Sequence, residues 1–263
     1  MSFRLFGSAV LAFALAGSVP ALAQTSTTPP TATPAAPQAA APAAPALDRA
    51  EIEKIVRDYI MKNPEILLEA MQELDRKQGE MRQAAADRAI SEHREEIYND
   101  PGAPVVGNPQ GDVTIVEFFD YHCGYCKQVH PVIKAMLSQD DRIRLIYREM
   151  PILSENSRYL AFAALAAARQ GKYREMHDVL MEGRSQVSKE RLVQIATDLK
   201  IDSKRLLQDM EDPQIAAAID RNLDLARTLN ITGTPGFLVG SKLVPGAIDL
   251  DTLKRLIAEA RRS

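Results

Sequence analysis

Apolar and polar residues in the middle of the chain follow first the period of a strand and then that of a helix. The β-rich run Val113–Phe119 predicts a buried strand. Apolar residues then recur at helical spacing up to Leu137, which predicts a helix directly after that strand. Arg142–Tyr147 predicts a second strand, and residues 157 to 228 are largely helical in pattern.

Strand character returns late in the chain. Phe237–Val239 and Lys242–Val244 flank a Gly240–Ser241 turn and predict a hairpin. Asp249 is a suitable N-cap for a last helix that runs to about Arg261. The element order predicts an α/β domain whose large helical insertion, about residues 152–228, separates its second strand from the hairpin.

A helical region precedes this domain. Residues 47–98 are rich in helix-forming residues, and the pair Asn63–Pro64 predicts a break, with Asn63 as N-cap and Pro64 in the first helical position. A first helix is expected over 48–62. Asp100–Pro104 breaks the helical pattern and is expected to form a hinge into the next domain.

The second helix of this region has the spacing of a coiled coil. Apolar and small residues recur at alternating intervals of four and three, interrupted by one polar glutamine: Leu67, Met71, Leu74, Gln78, Met81 and Ala85. This seam predicts a homo-oligomerisation stalk, with a trimer favoured over a dimer. The alternative is an amphipathic helix that packs on its own domain.

The N-terminus predicts export. Arg4 precedes the apolar residues 5–19, and Ala21–Ala23 has the small-x-small pattern of a signal-peptidase site. Residues 1–23 are therefore expected to be a cleaved signal peptide, with an uncleaved membrane anchor as the alternative. The periplasm of a bacterium suits this signal and is an oxidising compartment in which cysteine pairs form disulfides.

Net charge and composition limit the classes of partner that the chain can bind. Loss of the signal peptide removes Arg4, its one charged residue, and changes the formal net charge from −3 to −4. This balance offers no basic surface for nucleic acid. Residues 24–46 are rich in Pro, Ala and Thr without any charged residue, which predicts a solvated linker. The α/β domain is then expected over residues 99–263.

Cys123 and Cys126 are the two cysteines of the chain, in one Cys-Gly-Tyr-Cys motif. A disulfide that closes so short a loop contributes little chain entropy, whereas a CxxC between a strand and a helix is typical of a redox centre. A helix N-terminus favours the thiolate of the first cysteine. Cys123 is therefore the expected nucleophile and Cys126 the resolving thiol.

Two other interpretations of the motif stay open. One is an inert structural pair. The other is a metal site, because the nine residues from 122 to 130 contain both cysteines and two histidines, His122 and His130. Zinc prefers four such ligands, often as two separated pairs, while two thiolates suffice for Cu(I). No metal and no cofactor is required by the redox interpretation.

Three segments carry a family resemblance. Val116–Cys126 is similar to the active-site segment of the DsbA-like thiol–disulfide oxidoreductases. Thr232–Phe237 resembles the cis-proline loop of that family, and Pro131 matches its helix-kinking proline. Together these segments imply a thioredoxin fold over about residues 105–262.

The resemblance implies further site residues. Glu117 matches the buried acid that handles the proton of the resolving cysteine, and Gly124 and Tyr125 occupy the positions that tune the thiolate. A cis bond before Pro235 would hold Thr234 against the sulfurs and offer its backbone to a bound peptide. His122, adjacent to the nucleophile, is expected either to add positive charge there or to be a solvated surface residue.

The N-terminal region narrows the resemblance. Tyr59–Leu67 before such a domain is similar to the ScsC (suppressor of copper sensitivity) and Com1-like secreted disulfide proteins, some of which trimerise and act as isomerases. This implies a disulfide isomerase or reductase acting on unfolded or misoxidised exported proteins and kept reduced by an ScsB- or DsbD-like membrane partner. The alternatives are a DsbA-like oxidant served by a DsbB-like partner, and a copper-binding protein.

Overall fold

The computed structural model describes residues 48–183 and 186–262. The predicted signal peptide and linker lie outside these residues. The chain divides into two compact units at Lys62 and Asn63. In the part that is described, no helix is both long and apolar enough to span a membrane.

Ten helices and five strands are present in the described residues. The helices are α1 Arg49–Lys62, α2 Glu65–Glu92, α3 Arg94–Tyr98, α4 Gly124–Gln139, α5 Glu155–Ala168, α6 Tyr173–Glu182, α7 Lys189–Asp198, α8 Ser203–Asp209, α9 Pro213–Thr228 and α10 Leu250–Ala260. The strands are β1 Val105–Gly107, β2 Val113–Phe119, β3 Ile143–Glu149, β4 Gly236–Val239 and β5 Lys242–Pro245. From β2 onwards, the predicted order of strands and helices, with its helical insertion, is confirmed.

The strands form one mixed sheet in the order β1-β3-β2-β4-β5. The central strands β2 and β3 are parallel, as a helical crossover requires, while β1, β4 and β5 join antiparallel. Strand β1 was not predicted from the sequence. It has three residues, of which Val106 alone is buried, so it carries too short a pattern to be recognised.

Alternation along β2 supplies two hydrophobic cores, one on each face of the sheet. Ile115 and Phe119 point into the larger core, which α4, α5, α6 and α10 cover. Val116 and Phe118 point to the opposite face, into the smaller core. Glu117 therefore lies on the face of the larger core, the one that the two cysteines also share.

Several later helices begin at a side-chain cap, and the cap predicted at Asp249 is confirmed. The side chains of Ser188, Asp202, Asp212 and Asp249 each accept a backbone N–H in the first turn of a helix. The predicted cap of the second helix was wrong by one residue. Pro64 occupies the cap position of α2 and makes no side-chain cap bond.

The end of the predicted stalk packs on the catalytic domain. Ile90 of α2 and Ile97 of α3 are buried in the smaller core. The buried Arg148 of β3 donates to the backbone oxygen of Ile97 at 3.0 Å and to the Asp100 carboxylate at 2.6 Å. Asp100–Pro104, predicted as a hinge, is thus held at its first residue. The predicted domain boundary after residue 98 stays a prediction.

The predicted coiled-coil seam is not covered by its own domain. All six of its residues are exposed within one chain, among them Leu67, Met71, Leu74 and Met81. The alternative of a helix that packs these residues on its own domain is therefore wrong for this part of α2. Charged pairs such as Arg76 with Glu73 and Glu80 line the same helix.

Candidate active site

The two cysteines lie where β2 gives way to α4. Cys123 is the N-cap of this 16-residue helix, and its Sγ accepts the N–H of Cys126 at 3.4 Å. Both thiols are free, and Cys123 retains 6% of its exposure whereas Cys126 has none. The free N–H groups and the dipole of a helix N-terminus stabilise a thiolate at the cap position. The geometry suits an accessible nucleophile with a buried partner.

The cis-proline loop meets the nucleophile. The Thr234–Pro235 peptide bond is cis, and the Sγ of Cys123 donates to the Thr234 carbonyl oxygen at 3.1 Å. Pro235 is buried and its carbonyl accepts the N–H of Gly246 at 2.9 Å, which ties the loop to the end of β5. A Cβ at Gly236 would lie 2.7 Å from the Ile231 side chain, so a side chain there would disrupt the loop.

Glu117 is buried behind the cysteines, with 2% of its surface exposed. Burial, and then the negative charge of Cys123, raise the pKa of its carboxyl to about 8. Burial also raises the pKa of the Cys126 thiol well above its usual range, and the charge of Glu117 adds to this. At neutral pH the geometry thus holds a protonated acid and a protonated resolving thiol in one apolar pocket.

Hydrogen bonds hold the ring of His122, which contradicts the alternative of a solvated surface residue. Its Nε2 lies 3.0 Å from the Asn156 Oδ1, and its Nδ1 lies 3.1 Å from the Ser154 Oγ. Because the Asn156 amide nitrogen donates to the Val187 carbonyl at 3.2 Å, its oxygen faces the ring and accepts from Nε2. The ring is part-buried and connects the active-site turn to the start of α5, so it is not a freely solvated side chain.

The two residues between the cysteines face solvent. A Cβ on Gly124 would have no heavy atom within 4 Å, and 64% of Tyr125 is exposed. Both positions are therefore open to solvent. Phe237, after the cis-proline loop, is fully buried and belongs to the core.

The histidines of the alternative metal site contact other groups. His130 is buried, with its ring centroid 5.3 Å from that of His177. Across residues 48–183 and 186–262, no cluster of three or more His, Cys, Asp and Glu side chains is arranged to hold a metal ion. Copper binding by the two thiols alone stays a prediction.

Comparison with models of protein families identifies the family of the chain. A DSBA-like thioredoxin domain model matches residues 114–258, which is more than half of the chain. The chain belongs to the DsbA-like thioredoxin family. A second model, the N-terminal domain of the copper resistance protein ScsC, matches residues 48–80, within the predicted stalk.

Solved structures agree with the DsbA-like assignment. A thioredoxin-like oxidoreductase from Silicibacter pomeroyi is 42% identical, with a TM-score of 0.62 over 65% of this chain and 98% of that one. ScsC from Proteus mirabilis, in a transitional conformation, is 28% identical, with a TM-score of 0.62 over 82% of this chain and 99% of that one. The likeness to ScsC thus extends beyond the catalytic domain.

The chain also resembles part of a longer protein. A Na⁺/H⁺ antiporter, NhaA 3 of Salinispora tropica, is 30% identical over 164 residues. The match takes in 61% of this chain, and the chain spans a quarter of the length of that antiporter.

Sequence reasoning overlooked Asp120, Ser154 and Asn156. Asp120 ends an apolar strand three residues before the nucleophile and is nevertheless buried. A charged residue at that position was the one available signal. Ser154 and Asn156 carried none, because their role depends on contacts with His122, more than thirty residues away in the sequence.

The raised pKa of Glu117 predicts a pH-dependent stability in the DsbA-like domain. Between about pH 4.5 and 8 the folded protein holds a proton on Glu117 that the unfolded chain has released. The free energy contributed by this group therefore falls by about 1.4 kcal/mol per pH unit as the pH rises, and stays constant above pH 8. We expect Glu117→Gln to remove this dependence, so that its stability relative to wild type increases from pH 5 to pH 8.

Urea unfolding of the reduced proteins at pH 5, 6.5 and 8 measures this difference. Glu211→Gln, at an exposed glutamate, is the matched control and separates burial from the loss of one negative charge. A constant difference between Glu117→Gln and wild type across this range would show that Glu117 does not hold the extra proton.

Proposed function

We propose that the chain is an exported thiol–disulfide oxidoreductase that reduces and rearranges disulfides in other proteins. The single observation that carries this proposal is the position of Cys123. It caps α4 with a small part of its surface open to solvent, and its sulfur lies 3.1 Å from the Thr234 carbonyl oxygen. Membership of the DsbA-like family supports the same chemistry.

Reduction proceeds in two exchanges. The Cys123 thiolate attacks one sulfur of a client disulfide, the S–S bond breaks, and the other client sulfur leaves as a thiolate. The Cys126 thiolate then attacks the Cys123 sulfur of the mixed disulfide and releases the second client sulfur. The client gains two electrons and the protein is left with a Cys123–Cys126 disulfide. Alternatively, a thiolate of the client attacks the client sulfur of the mixed disulfide. The client then has a rearranged disulfide, and Cys123 is released as the thiolate.

Glu117 takes the proton in the second exchange. The high pKa of buried Cys126 means that its thiol needs a nearby base to become a nucleophile. In the mixed disulfide Cys123 carries no charge, so one of the two causes of the raised Glu117 pKa is removed and the carboxyl ionises more readily. The resulting carboxylate is then the base for the Cys126 proton. The backbone of Thr234 and Pro235 supports an extended client segment beside Cys123, because the loop lies against the sulfur.

The exposed seam of α2 favours isomerase over oxidant. An apolar stripe with charged flanks is suited to associate with the same stripe of other copies, and we favour a trimer. Several catalytic domains would then surround one misoxidised client, which raises the effective concentration of Cys123 around it. The match of residues 48–80 to the ScsC N-terminal domain supports a stalk at this place.

The same reasoning gives compartment and partners. We place the protein in the periplasm, after removal of residues 1–23, with unfolded or misoxidised exported proteins as clients. An isomerase must be returned to its dithiol form, so a membrane reductant of the ScsB or DsbD kind is the expected redox partner. A DsbB-like partner would be expected for the oxidant.

Refolding of a scrambled multi-disulfide protein tests the proposal. The residues from Gln24 onwards, added at catalytic amounts in a glutathione buffer, should restore the native activity of the client. Rapid oxidation of a reduced client without any rescue of the scrambled one would replace the isomerase by an oxidant. Absence of both reactions would reject the oxidoreductase.

The seam is tested in the same assay. Leu74→Glu places a charge in the seam, and we expect it to give monomers in light scattering and to lower the refolding rate by about tenfold. Gln72→Glu is the matched control, because it adds a charge in the same turn but off the seam. A Leu74→Glu monomer that refolds the client at the wild-type rate would remove the role given to the stalk.

A further inference from the structure

Lys127 follows the resolving Cys126 directly and makes three hydrogen bonds to another helix. It lies on α4 and is part-buried. Its Nζ donates to the carbonyl oxygens of Leu180 and Met181, each at 3.0 Å, and to that of Gly183 at 2.6 Å. An ammonium has three N–H groups and a neutral amine has two, so a set of three acceptors specifies the charged form. Lys127 therefore brings a positive charge to the first turns of α4.

The three acceptors lie at the C-terminal end of α6 and just beyond it. The last carbonyl groups of a helix have no partner within the helix, and a cationic side chain can satisfy them. Such a helix end carries about half a negative elementary charge, whereas the ammonium carries a whole positive one. The contact thus fixes the position of the Lys127 charge and offsets only part of it.

The carboxylates of α6 pair with other residues. The Nζ of Lys134 lies 2.8 Å from the Glu182 Oε1 and 3.8 Å from the Asp178 Oδ2. The Nε2 of His130 lies 3.4 Å from the Asp178 Oδ1. Among the described residues, Lys127 forms no ion pair, so no single carboxylate cancels the part of its charge that remains.

Asp120 is a buried negative group close to the same turn. Its side chain is 1% exposed, and its carboxylate accepts backbone N–H groups at 2.7, 2.9 and 3.0 Å from His122, Ile152 and Leu153. Burial lowers the pKa of Lys127, while the negative charges of Cys126 and then of Asp120 act to raise it. Coupling between two charged groups is reciprocal, so the ammonium in turn favours the thiolate of Cys126.

We infer that Lys127 is a positioning residue that acts through Cys126: its ammonium, fixed at the end of α6, stabilises negative charge on Cys126 while the mixed disulfide is resolved. This inference rests on the proposed function. In that exchange Glu117 takes the proton of Cys126, the Cys126 thiolate attacks the Cys123 sulfur, and the client sulfur leaves as a thiolate. The pocket holds one negative charge, first on Glu117 and then on Cys126. A nearby cation lowers the free energy of both forms.

Reaction with an aromatic disulfide, dithiobis(nitrobenzoic acid), separates the two exchanges. Cys123 attacks the reagent and releases one coloured thiolate, and attack by Cys126 on the resulting mixed disulfide releases the second. We expect Lys127→Met to slow the second release about tenfold at neutral pH, because a pKa higher by about one unit lowers the thiolate fraction by that factor. The pH dependence of the second release should move by about one unit to higher pH, whereas the first release should change by less than about twofold.

Three further variants separate the charge from the hydrogen bonds. Lys127→Arg keeps the charge and should release the second thiolate at close to the wild-type rate. Lys127→Gln keeps N–H donors for the same carbonyls without a charge and should be as slow as Lys127→Met. Lys134→Met is the matched control: Lys134 lies two turns further along the same face of α4, but its charge is paired with Glu182. Both releases should be unchanged in it.

The outcomes separate this inference from the proposed function. A second release at the wild-type rate in Lys127→Gln, or one as slow in Lys127→Arg as in Lys127→Met, would overturn the role of the charge. The same pair of variants decides the matter if Lys127→Met does not fold. Equal slowing of both releases would show that the charge does not act through Cys126. Failure of the wild-type protein to release either thiolate would overturn the proposed function itself.

Discussion

Replacing Cys123 with serine should abolish disulfide exchange, lowering the second-order rate with a client disulfide by at least about a thousandfold. A hydroxyl at this position is not ionised at neutral pH and cannot form the mixed disulfide. Serine is also a good N-cap, and its Oγ can accept the N–H of Cys126 as the Cys123 sulfur does. The loss will therefore not reflect a damaged α4, and unchanged thermal unfolding of the reduced protein is the control.

The variant of the second cysteine, Cys126→Ser, should behave in the opposite way and accumulate the mixed disulfide. Cys126→Ser retains the nucleophile but lacks the thiol that resolves the mixed disulfide, so Cys123 should remain bound to its client. Acid quenching followed by a non-reducing gel and mass spectrometry detects that adduct. If Cys126→Ser accumulates no adduct while Cys123→Ser is inactive, resolution does not depend on Cys126.

Replacing Arg148 with methionine should lower the free energy of unfolding by about 3–5 kcal/mol. The guanidinium is buried and donates to Asp100, to the side chain of Asn222 and to backbone oxygens of Glu96 and Ile97. Methionine has a similar length but no donor, so these acceptors lose their partner while most of the volume is kept. Urea unfolding followed by circular dichroism measures the change.

Arg158→Met is the matched control for this prediction. Arg158 forms an exposed ion pair with Asp220, and such pairs contribute about 0–1 kcal/mol. We also expect Arg148→Met to become sensitive to proteases between residues 99 and 104, because Asp100 is released. Equal losses in the two arginine variants would mean that Arg148 does not anchor α3 and the Asp100–Pro104 segment.

Local patterns explain why most of the fold could be predicted. A run such as Val113–Phe119 is apolar on both faces because the sheet is covered on both sides, and this is visible in the residues themselves. Caps such as Asp212 before Pro213 act within one turn of their own helix. The errors fell where local signals were short or ambiguous, as at β1 and at the start of α2.

The candidate site likewise contains some features that the sequence predicts and others that depend on contacts between distant residues. The Cys-Gly-Tyr-Cys motif at a strand–helix junction indicates redox chemistry from a few consecutive residues. His122 was placed correctly beside the nucleophile, but its hydrogen bonds to Ser154 and Asn156 were not foreseen. The periodic pattern of apolar residues predicts local elements, but it does not predict a contact between side chains more than thirty residues apart in the sequence.

The sequence by itself determined the order of the elements from β2 onwards, the Cys-Gly-Tyr-Cys motif and the apolar seam, because each of these is a pattern of residues close together in the chain. Tertiary structure decided which distant groups surround Cys123 and where the stalk ends. Thr234 reaches the sulfur across 111 residues, and Arg148 holds Asp100 across 48. Such contacts depend on strand order and on the packing of both faces of the sheet. Strand order and packing are determined by the free energy of the whole folded chain, so no single segment of the sequence reveals them.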